Sequence, residues 1–395
     1  MLVNLLLLTT LATLIPGQLI RVSLGQSGAI SLTDIFLFLT ILVFLFNSLF
    51  IKKSIKVPPL VTKPFVLFTF AAAASLVIAL NRLSPGQVLV SALFLVRFIA
   101  FFSISLVVYN FVQKKSQEKW INALLTLGII FAFLGFLQLI FFSNLSQLQM
   151  YGWDPHQMRL VSTTLDPNFT GSILAILSAI SLSFYLYKSK KFYLVSLAIF
   201  TVALILTFSR SSYLAIATVM ATIGIIKAPR VLVASIVVFL ISFALVPQVR
   251  SRIIGALTID ETAQARLESW QNALKVFKNN PLVGVGFNTY RYTQAEYGFF
   301  SFDNPEGGHS GSGSDSSILL VAATSGAIGL FLYLYFLLDI FKILKDKVTK
   351  NPLHLGALAA FLGLLVDSQF VNSLFFPQVM LVFYFTLGLV LKGDI

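Results

Sequence analysis

Apolar residues run along this chain in blocks of about 20, parted by short polar connections, and about twelve such blocks recur. They centre on residues 2–20, 30–50, 60–80, 87–111, 120–142, 168–187, 191–208, 211–226, 231–247, 316–340, 353–374 and 377–391. Coiled into a helix, a block of that length crosses a hydrocarbon core of roughly 30 Å and satisfies its own backbone polar groups. Short alternating segments of the kind a β-barrel needs are missing. The pattern therefore predicts an all-α fold: a polytopic membrane bundle of about 12 transmembrane helices, one integral membrane domain over residues 1–395. The first block has no basic leader and no small-residue cleavage site, so it reads as a retained anchor.

One connection breaks the rhythm. Residues 249–314 form the single long polar stretch, between the ninth and tenth blocks. Within it, residues 262–278 predict an amphipathic helix with Leu267, Trp270, Leu274 and Phe277 on one stripe. Asp260 or Thr262 can cap its start, and Asn279-Asn280-Pro281 stops it. Such a helix is expected to lie on the membrane surface, with Arg266 at the edge of its apolar face and able to reach toward the bundle. Gly284 and Gly286 then mark a tight turn. A Gly/Ser-rich run holding His309 leads to Asp315-Ser316-Ser317, which reads as a helix N-cap and so as a natural anion neighbourhood.

Composition agrees with the pattern: the chain is 57% hydrophobic and 11% charged, with a mean hydropathy of +0.90. Only lipid can cover that much apolar surface. Having no cysteine, the chain makes no disulfide and no thiolate metal site. The formal charge of +13 is mostly a matter of topology. With the N-terminus inside, Lys52, Lys53, Lys56, Lys63, Lys114, Lys115, Lys119, Lys188, Lys190, Lys191, Lys227, Arg230, Lys342, Lys345, Lys347, Lys350 and Lys392 all fall on the cytoplasmic side. The short outer connections hold only Arg21, Arg82, Arg159 and Arg210. Short loops set orientation, so both termini are expected to be cytoplasmic and the 249–314 loop external. No clustered basic face of the nucleic-acid-binding kind is present, and no nucleic acid partner is expected.

Long external segments escape that charge rule, so Arg250, Arg252, Arg266, Lys275, Lys278 and Arg291 have another use, either on anionic lipid head groups or on an anionic substrate. Two charges lie inside apolar blocks, Arg97 in the fourth and Asp367 in the eleventh. Intramembrane charges pair or line polar sites, so these two form either an ion pair or part of an anion site.

Four segments, in order, resemble the O-antigen ligase and O-antigen polymerase superfamily of bacterial membrane glycosyltransferases. They are RLVSTTLDPNFTG with Arg159 before Asp166-Pro167-Asn168, TFSRSSYLA with Arg210, RLESWQNALKVFKNNPLVGVGFNTY with Arg266, and HSGSGSDSSILLVAATSGAIGL with Thr324, Gly326 and Gly329. The resemblance spans the chain. It implies transfer of a glycan from a polyprenyl (undecaprenyl) diphosphate carrier to an acceptor hydroxyl, on the external face of a bacterial inner membrane. The partners it implies are a lipid diphosphate-linked donor, a glycan or lipid-linked acceptor, and the bilayer. Arginines suit the diphosphate because a guanidinium grips phosphate oxygens in pairs, which makes Arg210, Arg266 and Arg159 the candidate diphosphate-binding residues. The acceptor hydroxyl needs a general base. The family's histidine carries over to His309, while its usual register before the glycine helix holds Asp315, so both are candidates. No Asp-x-Asp motif faces outward, so arginines are expected in place of a metal, with no cofactor and an inverting displacement. A surface polysaccharide polymerase of the same superfamily is the nearest alternative. A transporter or flippase of lipid-linked or anionic solutes is the next, although no internal repeat supports it. A cell-wall polymerase of the shape-and-division type lacks its aspartate-bearing loop here, and a structural scaffold is the last alternative.

Overall fold

The computed structural model describes residues 2–23, 28–51, 53–299 and 313–393. Each of the twelve apolar blocks is built around one helix, and three further helices lie in the long polar connection. In order these are α1 (Leu2–Ala12), α2 (Leu32–Phe46, running on as a π-helical turn Asn47–Ile51), α3 (Pro59–Ala79), α4 (Pro85–Phe111), α5 (Gln117–Phe141) and α6 (Pro167–Lys188). Then follow α7 (Lys191–Leu206), α8 (Arg210–Ile226), α9 (Pro229–Leu245), α10 (Pro247–Leu257), α11 (Glu261–Asn279) and α12 (Tyr290–Glu296). The chain closes with α13 (Ser317–Lys345), α14 (Pro352–Asp367) and α15 (Pro377–Leu391). Among the described residues six helices are long and apolar enough to cross a membrane, or seven if α9 and α10, bent by 99° at Val246-Pro247, count as one span. The other five apolar blocks are matched by helices of 10–17 residues. Among the described residues the departures from an all-helical plan are a small antiparallel pair, Arg21–Ser23 with Ala29–Ser31, and an isolated antiparallel bridge between Asn144 and Gln157.

The bundle is organised around α6, most of which is buried, and which packs on α7, α8 and α14. Ser172, Ala175, Ser178, Ala179, Ser181 and Ser183 keep its surface small, and α14 answers with Gly356, Ala359, Ala360 and Gly363. In lipid, where no hydrophobic effect pushes helices together, close approach of small residues is what joins them. A Cβ on Gly356 would stand 3.1 Å from the Ile180 backbone.

Charge is sorted between the two ends. At one end Lys188 and Lys190 meet Glu118 and Lys392 donates to the Tyr109 carbonyl. The connections that follow α1, α5, α7 and α9 gather at the other end, with the segments before α13 and α15, around a single cavity.

The long connection is more structured than expected. Its described residues form three helices, α10, α11 and α12, and α11 and α12 pack on α13. Asp260 caps α11 as expected, accepting from the Ala263 N–H at 3.0 Å. The buried side of α11 is not the predicted stripe: Ala273 and Val276 are buried, Trp270 is half-buried, and Leu267 and Leu274 each stay 40% exposed. The reason is that α11 rests on α13 and shares with it a small core of its own, including Val285, Tyr290, Leu320 and Ala323.

The two glycine motifs form a single lock. At Gly326 the helix α13 breaks, with φ 63° and ψ −168°, a conformation essentially confined to glycine. The 281–286 turn fills the break with its own backbone. Val285 and Gly286 donate to the carbonyls of Ala323 and Thr324 at 3.1 and 2.9 Å, and Ala327 and Ile328 donate to those of Pro281 and Leu282 at 2.8 and 3.2 Å. A Cβ on Gly284 would lie 2.3 Å from the Thr324 carbonyl carbon, and one on Gly326 2.3 Å from that of Leu282. Gly284→Ala and Gly326→Ala should therefore each destabilise the fold by several kcal/mol, from backbone strain of roughly 1–3 kcal/mol plus the overlap. Thermal unfolding checks this; two variants melting with the parent would remove the lock.

Candidate functional site

A cavity of about 620 Å³ opens among the gathered connections. Seven of the chain's ten arginines line it, together with four aspartates and no lysine among the described residues. Arg159, Arg210, Arg266 and Asp315, far apart in sequence, all reach it; His309 lies outside the described residues.

Each is placed by local structure. Arg159 donates through Nε to the Thr207 carbonyl at 2.9 Å and through Nη2 to that of Phe208 at 3.3 Å, at the carbonyl end of α7 where a cation is favoured. Burial pushes its pKa down to about 10; Arg252 adds to the shift and Asp166 opposes it. Arg159 therefore remains charged at neutral pH. Arg210 opens α8, capped by Ser209. Its guanidinium is already engaged: both terminal nitrogens meet the Asp260 carboxylate, and Nε donates to the Arg252 carbonyl at 2.6 Å. That grip holds the Asp260 carboxyl down at about 2. Arg210 thus ties the start of α11 to α8, and its first task is positioning.

Arg266, one turn into α11, is different. Among the described residues its guanidinium has no hydrogen bond, and its strongest favourable neighbour is Asp315. Burial lowers its proton affinity, which Asp315 partly restores. Asp315 is not the cap of α13: Ser316 is, accepting from the Leu319 N–H at 3.2 Å. The expectation fails because the helix starts one residue later, and this frees the carboxylate. The Asp315 backbone is pinned on both sides, its N–H donating to Ser269 Oγ at 2.9 Å and its carbonyl accepting from Trp270 Nε1 at 3.3 Å. Burial pushes its pKa up to about 6, with Arg266 pulling it back and Asp166 adding to the rise.

Arg97 does not meet Asp367. It bonds Asp34 at 2.9 Å and the Ala29 carbonyl at 2.5 Å, while Asp367 accepts from Ser172 Oγ at 2.6 Å. Asp34 stands one turn inside the second apolar block, so the rule that singles out Arg97 and Asp367 applies to it equally. Also missed were Asp154, His156 and Asp166, whose ligand atoms lie within 4.8 Å of one another. Asp166 caps α6 with one oxygen, accepting from Asn168 N–H at 2.7 Å, and holds its other oxygen 3.9 Å from His156 Nε2. These are metal-ligand types, and they qualify the expectation that no carboxylate pair faces the substrate. A neutral imidazole can ligate a metal, while the nearby charges of Arg159 and Arg252 weigh against a dication. Burial pushes His156 down to about 4, and the charges of Arg159 and Arg252 add to that shift against the pull of Asp166.

Residues 194–334 match the family model described as O-antigen ligase. The chain carries an O-antigen ligase domain. The matched residues run from α7 into α13, and so bring Arg210, Arg252, Arg266, Asp315 and both halves of the glycine lock into the ligase domain. Arg159, Asp166, Asp34 and Arg97 reach the same cavity from outside it. No curated protein matches the chain.

Proposed function

We propose that the protein is an O-antigen ligase-type glycosyltransferase that moves a glycan from a polyprenyl diphosphate to an acceptor hydroxyl. The cavity is its active site, and it opens on the external face of the bacterial inner membrane, with both termini cytoplasmic. The observation that carries this reading is the lysine-free arginine lining around a buried carboxylate. Guanidinium forks match diphosphate oxygens, and in a partly dry cavity they neutralise a leaving group without the reorganisation water requires. The acceptor oxygen attacks the anomeric carbon, the bond from that carbon to the phosphate oxygen breaks, and its electron pair leaves on the diphosphate. The hydroxyl proton passes to Asp315 or His309. One direct displacement inverts the anomeric centre. Arg266, Arg252 and Arg159 face the diphosphate, and Arg210 keeps α11 in register. Ligase and polymerase share these steps and differ in the acceptor.

The test is purified protein in bilayer discs with a lipid diphosphate-linked glycan and candidate acceptors. Glycan transfer with release of the polyprenyl diphosphate is expected, and it should survive a chelator, because the arginine field opposes a divalent cation at Asp154, His156 and Asp166. Passage of the donor across a vesicle membrane with no new glycosidic bond would replace the enzyme with a transporter. Loss of transfer to chelator, restored by a divalent metal, would replace the arginine mechanism.

A further inference from the structure

The arginines account for one part of the cavity wall. The lining also presents polar groups that have no partner among the described residues. Asp34 is 3% exposed, and its Oδ2 accepts three hydrogen bonds, from Ser31 N–H and Oγ at 2.8 Å each and from Arg97 at 2.9 Å. Its Oδ1 has none among the described residues. The capping box at the start of α2 fixes the carboxylate, so it cannot turn to share its bonds. Asn288 Nδ2, Tyr290 Oη and Ser314 Oγ are likewise buried and unpartnered among the described residues, and all four residues line the cavity. Tyr290 and Ser314 are 1% and 3% exposed.

These groups sit on connected elements. Arg97, which holds Asp34, lies 5.1 Å from the Phe94 ring, and Arg291, next to Tyr290, lies 5.4 Å from the same ring. Tyr290 in turn feels the charge of Asp315, the neighbour of Ser314. Buried polar groups are nearly always satisfied, and an orphan costs stability. Four such orphans lining one cavity mark groups whose partner comes from what the cavity holds. The set mixes an acceptor-only carboxylate, an amide donor and two hydroxyls that do both. A phosphate offers no donor to a carboxylate; a sugar ring, bearing several hydroxyls, answers all four.

We propose that Asp34, Asn288, Tyr290 and Ser314 form a sugar-hydroxyl subsite, with Asp34 as its specificity-determining residue, beside the arginines that take the diphosphate. The proposal rests on the glycosyltransfer reading above, and it places a glycan ring against α2 and α12.

The test measures binding, so it does not depend on turnover. Two probes are titrated by equilibrium dialysis into the full-length protein in bilayer discs: the oligosaccharide cleaved from the lipid donor, and the oligosaccharide of the acceptor. Inorganic diphosphate is the control. Tyr290→Phe, Ser314→Ala and Asp34→Asn should each weaken one oligosaccharide roughly tenfold, more at the carboxylate, and leave diphosphate affinity unchanged. Whichever oligosaccharide responds identifies the ring as the donor's or the acceptor's. Tyr290→Phe and Ser314→Ala should melt no earlier than the parent, since each removes an orphan. Unchanged oligosaccharide affinity, or earlier melting of both variants, would make these groups structural and overturn the subsite. So would a parent protein that binds neither oligosaccharide. A protein that binds sugar yet transfers none would instead count against the glycosyltransfer reading alone.

Discussion

Asp315→Asn should lower turnover by about 10²–10⁴-fold, the usual worth of a general base, while making the protein harder to unfold. The two effects share a cause. Burial raises this carboxyl from an ordinary 3.8 to about 6 in the folded protein. An acid raised on folding binds more protons folded than unfolded between those values, so stability climbs as pH falls through about 6 toward 3.8. At neutral pH the buried charge is a standing penalty of up to about 3 kcal/mol, by about 1.4 kcal/mol per pH unit. Asparagine keeps the shape and removes the charge, so Asp315→Asn should melt later at pH 7, and the gap to the parent should close by about pH 4. His309→Ala provides the contrast. An ordinary histidine titrates at about 6.5, close to the value of Asp315, so a pH–rate profile alone does not separate the two kinds of base. If Asp315→Asn keeps full turnover and His309→Ala loses it, the base is His309.

Arg266→Ala should cost about 10²–10³-fold in transfer, with expression and melting close to the parent. Removing one preorganised donor aimed at developing charge typically has that effect. Arg266 makes no hydrogen bond among the described residues, so the fold loses little when it goes. Arg266→Lys should recover only part of the rate, because an ammonium lacks the planar fork. Arg210→Ala is expected to act differently. Its guanidinium holds Asp260 at the head of α11, so its loss should lower the melting temperature as well as the rate. Arg266→Ala with near-normal turnover, or with a loss of rate that follows its loss of stability, would remove Arg266 from the diphosphate clamp.

The sequence carries the helices and the arginines, and it carries the contacts between them poorly. Apolar blocks of about 20 residues have one good solution in lipid, and each became a helix. Their ends are less legible: Pro229 and Pro352 start α9 and α14 just ahead of their apolar blocks, and α14 stops at Asp367, well short of the end of the 353–374 block. Arg159, Arg210 and Arg266 reach the same cavity as expected, but the sequence shows no sign that Asp260 occupies Arg210, because that pair joins residues 50 positions apart. The stripe on α11 was half right: periodicity finds an amphipathic helix, but which edge is buried depends on the partner, and α13 selects Trp270, Ala273 and Val276. Asp34 was legible in principle. Ser31 and Asp34 are spaced as a capping box, and Asp34 is a charge within an apolar block just as Arg97 is.

The lysine-free lining separates two kinds of charge inside one enclosure. A guanidinium does not surrender its proton in any physiological range, so the arginines' share of the cavity's field is constant whatever the acidity of its surroundings. The groups that exchange protons there are carboxylates and histidine, which carry none of the burden of holding a phosphate. Retention and proton traffic are thus assigned to different side chains, coupled most closely where Asp315 neighbours Arg266. A fall in pH through about 6 would remove the Asp315 charge, and so would slow proton transfer while tightening the hold on a charged guest.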